Sequence, residues 1–248
     1  MQNYKMKIAY DGRYYTGCNK LKGKEEKSIQ GKLEAILSKL YNVDIEVISA
    51  ISTDSGVHAK GQIVNFTSPD YRFNEKEIFE YLEKYLTDDI IVLSVEPVDE
   101  RFHSRYLVKG STYEYRLWKK NAPSRPLFER HYVNSMHQTV NVDKMKKAAK
   151  QLVGEHDFAA FTTNKKAKNS IKKVMAVDVV ETENEIIITM TANGFLLHME
   201  RVIVGTLIQV GLGQLPMNTI EKAFEFKDKS DVGHKASAGA LCLLSVEY

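Results

Sequence analysis

An α+β fold in two related halves is the architecture the sequence predicts, and three observations predict it. Along the first 95 residues the hydrophobic period changes in the order strand, helix, strand, strand, helix, strand. That order is the ferredoxin-like, or split βαβ, arrangement, in which strands form an antiparallel sheet and helices cover one face. Beyond it a longer series of strand and helix patterns repeats the theme with additions, and no Pro/Gly/Ser-rich linker separates the two. We therefore expect halves at 1–104 and 105–248, and 248 residues with 43% hydrophobic content suffice to bury a real core.

Each element has its own local reason. Tyr4 to Ala9 alternates as a strand and runs into a tyrosine-rich, glycine-containing loop, Tyr10 to Gly17. Ser28 is a candidate N-cap for a helix whose apolar face is Ile29, Leu33, Ile36, Leu37 and Leu40. Asp44 to Ile51 and Gln62 to Thr67 alternate as strands around a loop containing Thr53, Asp54, Ser55 and Gly56. Asn74 with Glu77 forms a capping-box pattern ahead of Ile78, Tyr81, Leu82, Tyr85 and Leu86, and Ile90 to Val95 closes the half as a strand.

In the second half Tyr113 to Trp118 reads as a strand and Asp143 to Leu152 as a helix stopped by Gly154. Lys172 to Val180 pairs with Ile186 to Ala192 across Glu183 and Asn184. An apolar helix spans His198 to Val210, a shorter one capped by Asn218 runs through Phe226, and Leu241 to Val246 is the final strand of this half.

Composition narrows the function classes. The first nine residues place Lys5 and Lys7 among apolar positions, which fits neither a secretion signal nor a membrane span, so a cytoplasmic protein is expected. Cys18 and Cys242 are too few for a disulfide framework and lack zinc-site spacing, leaving both as packing residues. Charge is uneven: 14 Lys/Arg against 17 Asp/Glu through Ser104 gives −3, and 21 against 15 beyond it gives +6. A basic second half suits a polyanionic partner, and ordinary surface variation accounts for it equally well.

The segment Ser52-Thr53-Asp54-Ser55-Gly56-Val57-His58-Ala59 lies between two strands, where side chains project from a loop held by a rigid sheet. Asp and Gly also build turns for purely structural reasons, so local spacing alone leaves a turn and a catalytic loop both open. The ordered set of motifs decides more. Tyr10-Asp11-Gly12 through Gly17, Ser28-Ile29-Gln30, Thr53 to Ala59 with Gly61-Gln62, and Phe102-His103-Ser104-Arg105 come first. Tyr113-Glu114-Tyr115, Gly154-Glu155-His156-Asp157-Phe158 with Phe161, and Phe195-Leu196 with Met199, Arg201, Val204 and Gly205 follow. Taken together, across nearly the whole chain, they resemble the tRNA pseudouridine synthase A family.

The resemblance implies that Asp54 is the catalytic aspartate, acting as nucleophile on a target uridine without a cofactor or metal. It implies that Arg201 pairs with that carboxylate and that Tyr113 lies against the target base, although a solvated helix arginine and a sheet-packing tyrosine are the ordinary readings of such residues. It further implies two sheets joined into one extended sheet, a central RNA-binding cleft, and a homodimer gripping the anticodon arm of tRNA, with targets at positions 38, 39 and 40. His58, His103 and Arg105 are candidate RNA contacts, the histidines equally readable as satisfied loop residues. Lys20, Lys22, Lys24 and Lys27 form one lysine cluster, and Lys165, Lys166, Lys168, Lys172 and Lys173 another. Both clusters are candidate phosphate contacts, and a solvated face looks the same.

Several positions depart from the family pattern. Ser52 stands where the family has an arginine, and it remains a candidate RNA contact that has lost a charge and several donors. Ala50, Cys18, Glu83, Thr87, Glu200 and Val202 are further departures. They are the marks of a divergent paralogue, so an RNA-binding protein of the same scaffold with weakened catalysis stands as the alternative to an active isomerase.

Overall fold

The structure is a computed structural model that describes residues 1–164 and 166–248. It holds ten β-strands and five α-helices among the described residues, a mixed α+β chain whose strand pairs are mostly antiparallel. Two units are each defined by their own internal packing: Met1–Lys109 together with Cys242–Tyr248, and Gly110–Leu241.

The first unit follows the expected order: β1 (Gln2–Tyr10), α1 (Ile29–Tyr41), β2 (Val47–Ser49), β3 (His58–Ser68), α2 (Glu75–Tyr85) and β4 (Ile90–Val98). Strand β1 lies between β4 and β3, antiparallel to both, and β2 pairs antiparallel with β3. The two-residue period explains β1: Tyr4, Met6, Ile8 and Tyr10 are buried, and Lys7 between them is exposed. Helix α1 starts where Ser28 Oγ accepts from the Gly31 amide at 3.0 Å, and it buries Ile29, Leu33, Leu37 and Tyr41. Its end is set by Asn42 in the left-handed region (φ 57°), a conformation asparagine tolerates. The Asn74/Glu77 capping box forms in both directions, at 3.0 and 2.9 Å.

The second unit contains β5 (Gly110–Trp118), β6 (Asn134–Ser135), α3 (Val142–Gln151), β7 (Gly154–Asp157), β8 (Ile171–Glu181), β9 (Glu185–Ala192), α4 (Met199–Gly211) and α5 (Thr219–Phe226). Its sheet order is β5-β9-β8-β7, antiparallel throughout, with β6 parallel to the end of β5. The β8–β9 hairpin turns at the expected Glu183 and Asn184, closed by Thr182 N to Glu185 O at 2.8 Å and Glu185 N to Thr182 Oγ1 at 3.0 Å. Helix α4 is buried on most sides, including Ile203, Val204 and Leu207, which is why its sequence reads as apolar all round.

Asn218 heads α5 without a side-chain capping bond, Tyr85 of α2 is exposed, and three strand expectations change. The strand expected over residues 44–51 is only Val47–Ser49, because the Ile45 amide bonds Ser38 Oγ at 2.9 Å and leaves the ladder. Gly154–Asp157, read only as a helix stop followed by a motif, is a short strand. The final strand β10 (Leu241–Glu247), expected in the second half, belongs from Cys242 onward to the first unit. There it runs parallel to β3, with Cys242 opposite His58 and Leu243 opposite Ala59.

Candidate active site

Asp54 sits on the connection between β2 and β3, and three layers of contact hold that connection. The exit is fixed first: Ala59 at the start of β3 is paired with Tyr10 of β1 on one edge and with Leu243 of β10 on the other. The entry is fixed by Gln62, whose side chain takes both backbone groups of Ile51, donating to its carbonyl at 2.7 Å and accepting from its amide at 3.2 Å. Between them the loop closes on itself through Val57 N to Asp54 O at 3.1 Å.

The third layer is the loop Tyr10 to Gly17. Buried Tyr10 shares a hydrogen bond of 2.8 Å with buried Thr53, the residue before Asp54. Cys18 N donates to Thr53 O at 3.2 Å, and Ser55 Oγ donates to Tyr15 O at 3.1 Å. Two glycines make this approach possible. A Cβ on Gly12 would overlap the carbonyl of Val57, and a Cβ on Gly17, whose φ is +120°, would overlap the carbonyl of Thr53. The Tyr-Asp-Gly…Gly motif is thus a clamp on the aspartate loop.

His58 is part of this clamp. It is buried, its Nδ1 accepts from the Gly12 amide at 3.1 Å, and the same atom lies 3.2 Å from Asp11 Oδ1. Asp11 also accepts from Arg13, through the amide at 3.1 Å and Nε at 2.8 Å.

Burial sets the electrostatics beneath the loop. It pushes the Tyr10 phenol well above its ordinary value and the Cys18 thiol up to about 11, keeping both neutral. Asp54 itself is half-buried and Ser52 exposed. The Phe102–Arg105 motif braces the strand leading in: Ser104 Oγ donates to Ile48 O at 2.7 Å and Arg105 Nε to Ser49 O at 3.3 Å. His103 Nδ1 accepts from the Arg105 and Tyr106 amides at 3.2 and 3.3 Å, and its ring stacks on exposed Tyr106 at 4.1 Å.

In the second unit Tyr113 and Tyr115 project from β5, both buried, with Tyr113 edge-on to Phe195 at 5.3 Å. Arg201, in the first turn of α4, donates from Nε to Ala236 O at 2.8 Å and accepts through its carbonyl from Ala236 N at 3.0 Å. The next residue, Ser237, shares a 3.0 Å hydrogen bond with the Tyr115 hydroxyl, so the 236–237 segment ties the arginine to the tyrosine strand. Burial raises the Tyr115 pKa, and the Ser237 hydrogen bond and then the Arg201 charge partly offset that rise. Gly205 lets the segment lie against α4, because a Cβ there would overlap the carbonyl of His234.

The remaining motifs divide. Gly154–Phe158 is a packing unit, with Asp157 paired to Lys227 at 2.7 Å and His156 stacked on Phe224 at 4.3 Å. Lys166 and Lys168 are exposed, and Lys165 lies outside the described residues. Sequence reasoning missed the 233–237 segment and the supporting roles of Gln62 and Tyr10. The available signal for the first was the pair of glycines at 205 and 233 with no turn to explain them.

The chain is of the pseudouridine synthase class: the family profile described as tRNA pseudouridine synthase matches residues 148–248. A tRNA pseudouridine synthase A of Bacillus cereus is 41% identical over 249 residues, covering 100% of both chains. One from a Bacillus species is 40% identical over 96% of this chain and 97% of its own, and one from Clostridium acetobutylicum is 37% identical over 100% of both. This chain belongs to the tRNA pseudouridine synthase A family and is an isomerase.

Proposed function

We propose that the protein converts uridine to pseudouridine in the anticodon arm of tRNA, at positions 38, 39 or 40, with Asp54 as the attacking carboxylate. The observation that carries this reading is the clamp. A turn needs no buried tyrosine, no glutamine bracing both backbone groups of its entry and no glycine-tight neighbouring loop, whereas a nucleophile needs placement to a fraction of an ångström. The reaction breaks the bond from ribose to ring nitrogen and forms one to a ring carbon, which gives up its proton while the nitrogen gains one. Atoms balance without an external reagent, so one carboxylate with a positioning cation and an aromatic wall suffices.

In this reading Arg201 is the cation that steadies the carboxylate, Tyr113 lies against the extruded base, and each unit is a split βαβ half with its helices on one face of its own sheet. The uridine has to leave its stack to reach the carboxylate. His103, Arg105, Ser52, Lys166 and Lys168 touch RNA; buried His58 serves mainly to hold the loop. The protein works as a homodimer in the cytoplasm; no helix among the described residues is long and apolar enough to cross a membrane.

The test is to incubate the protein with unmodified tRNA and map pseudouridine. Product confined to the anticodon arm is expected. Binding without product, in wild type and Asp54→Ala alike, would instead establish the catalytically weakened alternative.

A further inference from the structure

The end of β5 opens into a cleft of about 520 Å³ that lies wholly in the second unit and belongs to none of the motifs above. One wall is the loop from Lys119 to Pro126, and the opposite wall is Ser135 to His137, held by the parallel pairing of Trp118 with Ser135 and by Met136 N to Trp118 O at 2.9 Å. Trp118, the chain's single tryptophan, forms the floor and pins the loop by donating from Nε1 to Ser124 O at 2.8 Å. The cleft is therefore built by ordered backbone.

Its charge is one-signed. Lys119, Lys120, Arg125 and Arg130 line it with His137, and no Asp or Glu does. Lys119 is held by Glu181 at 2.7 Å, but among the described residues no carboxylate pairs with Lys120, Arg125 or Arg130. Cations on a convex face are ordinary. Three uncompensated ones around a concavity focus a positive potential into it, and arginine forks suit phosphate oxygens.

We infer that this cleft is a second RNA-binding site, which takes a phosphodiester of the tRNA away from the reacting uridine. The inference rests on the tRNA reading above and adds a contact to it. The volume accommodates a phosphate with its flanking sugars, within the range of ordinary ligand sites. Trp118 makes the site observable, since a loop bound to its indole moves the emission when the loop is engaged.

The experiment uses the full chain and an unmodified tRNA transcript. Binding is measured by filter retention between about 50 and 200 mM salt, where phosphate contacts show their salt dependence, and Trp118 emission is followed in the same titration. The wild-type emission should change and saturate with binding. In Lys120→Ala/Arg125→Ala the change should disappear and the salt slope should flatten by about one to two. The control Lys146→Ala/Lys147→Ala, exposed on α3, removes the same charge elsewhere and should keep both. An isolated anticodon arm distinguishes the source: a retained difference places the phosphate within the arm, and a lost one places it elsewhere in the tRNA.

Silent Trp118 under saturating tRNA, or equal flattening in both double variants, overturns the site. Wild type that binds with an emission change yet forms no pseudouridine overturns the activity reading alone. Absence of any tRNA binding overturns this inference through its ligand.

Discussion

The loop carrying Asp54 and the segment carrying Lys166 and Lys168 are both connections between strands, and they differ in how closely their functional side chains are enclosed. Around Asp54 both backbone groups of Ile51 and the carbonyls of Thr53 and Asp54 are hydrogen-bonded, the Thr53 side chain is held by Tyr10, and Gly12 and Gly17 let the neighbouring loop close on it. The lysine segment is tied at its ends, where Thr162 Oγ1 donates to Leu197 O at 2.9 Å and Phe158 N to Ser170 O at 3.0 Å, and between them the side chains of Lys166 and Lys168 stand exposed. The contrast matches two kinds of task. Bond-making decays over fractions of an ångström, whereas attraction between a cation and a phosphate falls off over a Debye length of about 8–10 Å and tolerates a loose side chain.

The comparison breaks most sharply at Asp54. Asp54→Asn should lower pseudouridine formation by about 10³-fold or more, with thermal stability little changed because the side chain is no part of the core. Retained turnover in a single-turnover assay would remove Asp54 from its role and with it the reason for the clamp. Next comes Gly12→Ala, where the new methyl must displace the Val57 carbonyl. We expect activity to fall about 10²-fold from loop displacement and stability to fall by about 1–3 kcal/mol, read by kinetics and denaturant unfolding.

Alkaline pH should probe the floor of the clamp. The Cys18 pKa is raised from the ordinary 9.0 to about 11, so the folded state favours the thiol. That contribution is fully present below pH 9 and is lost as pH rises toward 11, a loss on the order of 2 kcal/mol. Tyr10, also raised by burial, acts in the same direction above pH 10. Urea midpoints measured from pH 8 to 11 should decline, and Cys18→Ala should flatten the first part of that decline. The smallest effect belongs to the lysines: Lys166→Ala/Lys168→Ala should weaken tRNA binding roughly threefold near 0.15 M salt, read by filter retention, and leave unfolding unchanged.

How much of this was legible depended on whether the cause is local. The caps at Ser28 and Asn74, the β8–β9 hairpin and the apolar α4 are each decided within a few residues, and each stands where periodicity and capping chemistry put it. The partner of β10 is not local. Its alternating pattern says that it is a strand and nothing about which sheet receives it, so its attachment to β3 had no signal in the sequence. The importance of Asp54 came from motif order, and the reason Gly12 and Gly17 accompany it became visible only when two loops were seen to touch. The cleft floored by Trp118 was hidden because its cations are spread over Lys119 to His137 with no run to draw notice.

The parallel pairing of β10 with β3 also orders events in time. While the ribosome is still producing Gly110–Leu241, the nascent first unit has Tyr10 opposite Ala59 but lacks the strand that seals the other edge. The exit of the aspartate loop therefore gains its second strand partner only after the second unit has been translated. A chain released early would leave that edge of β3 unpaired at His58 and Ala59, while β2 still covers it at Val64 to Phe66.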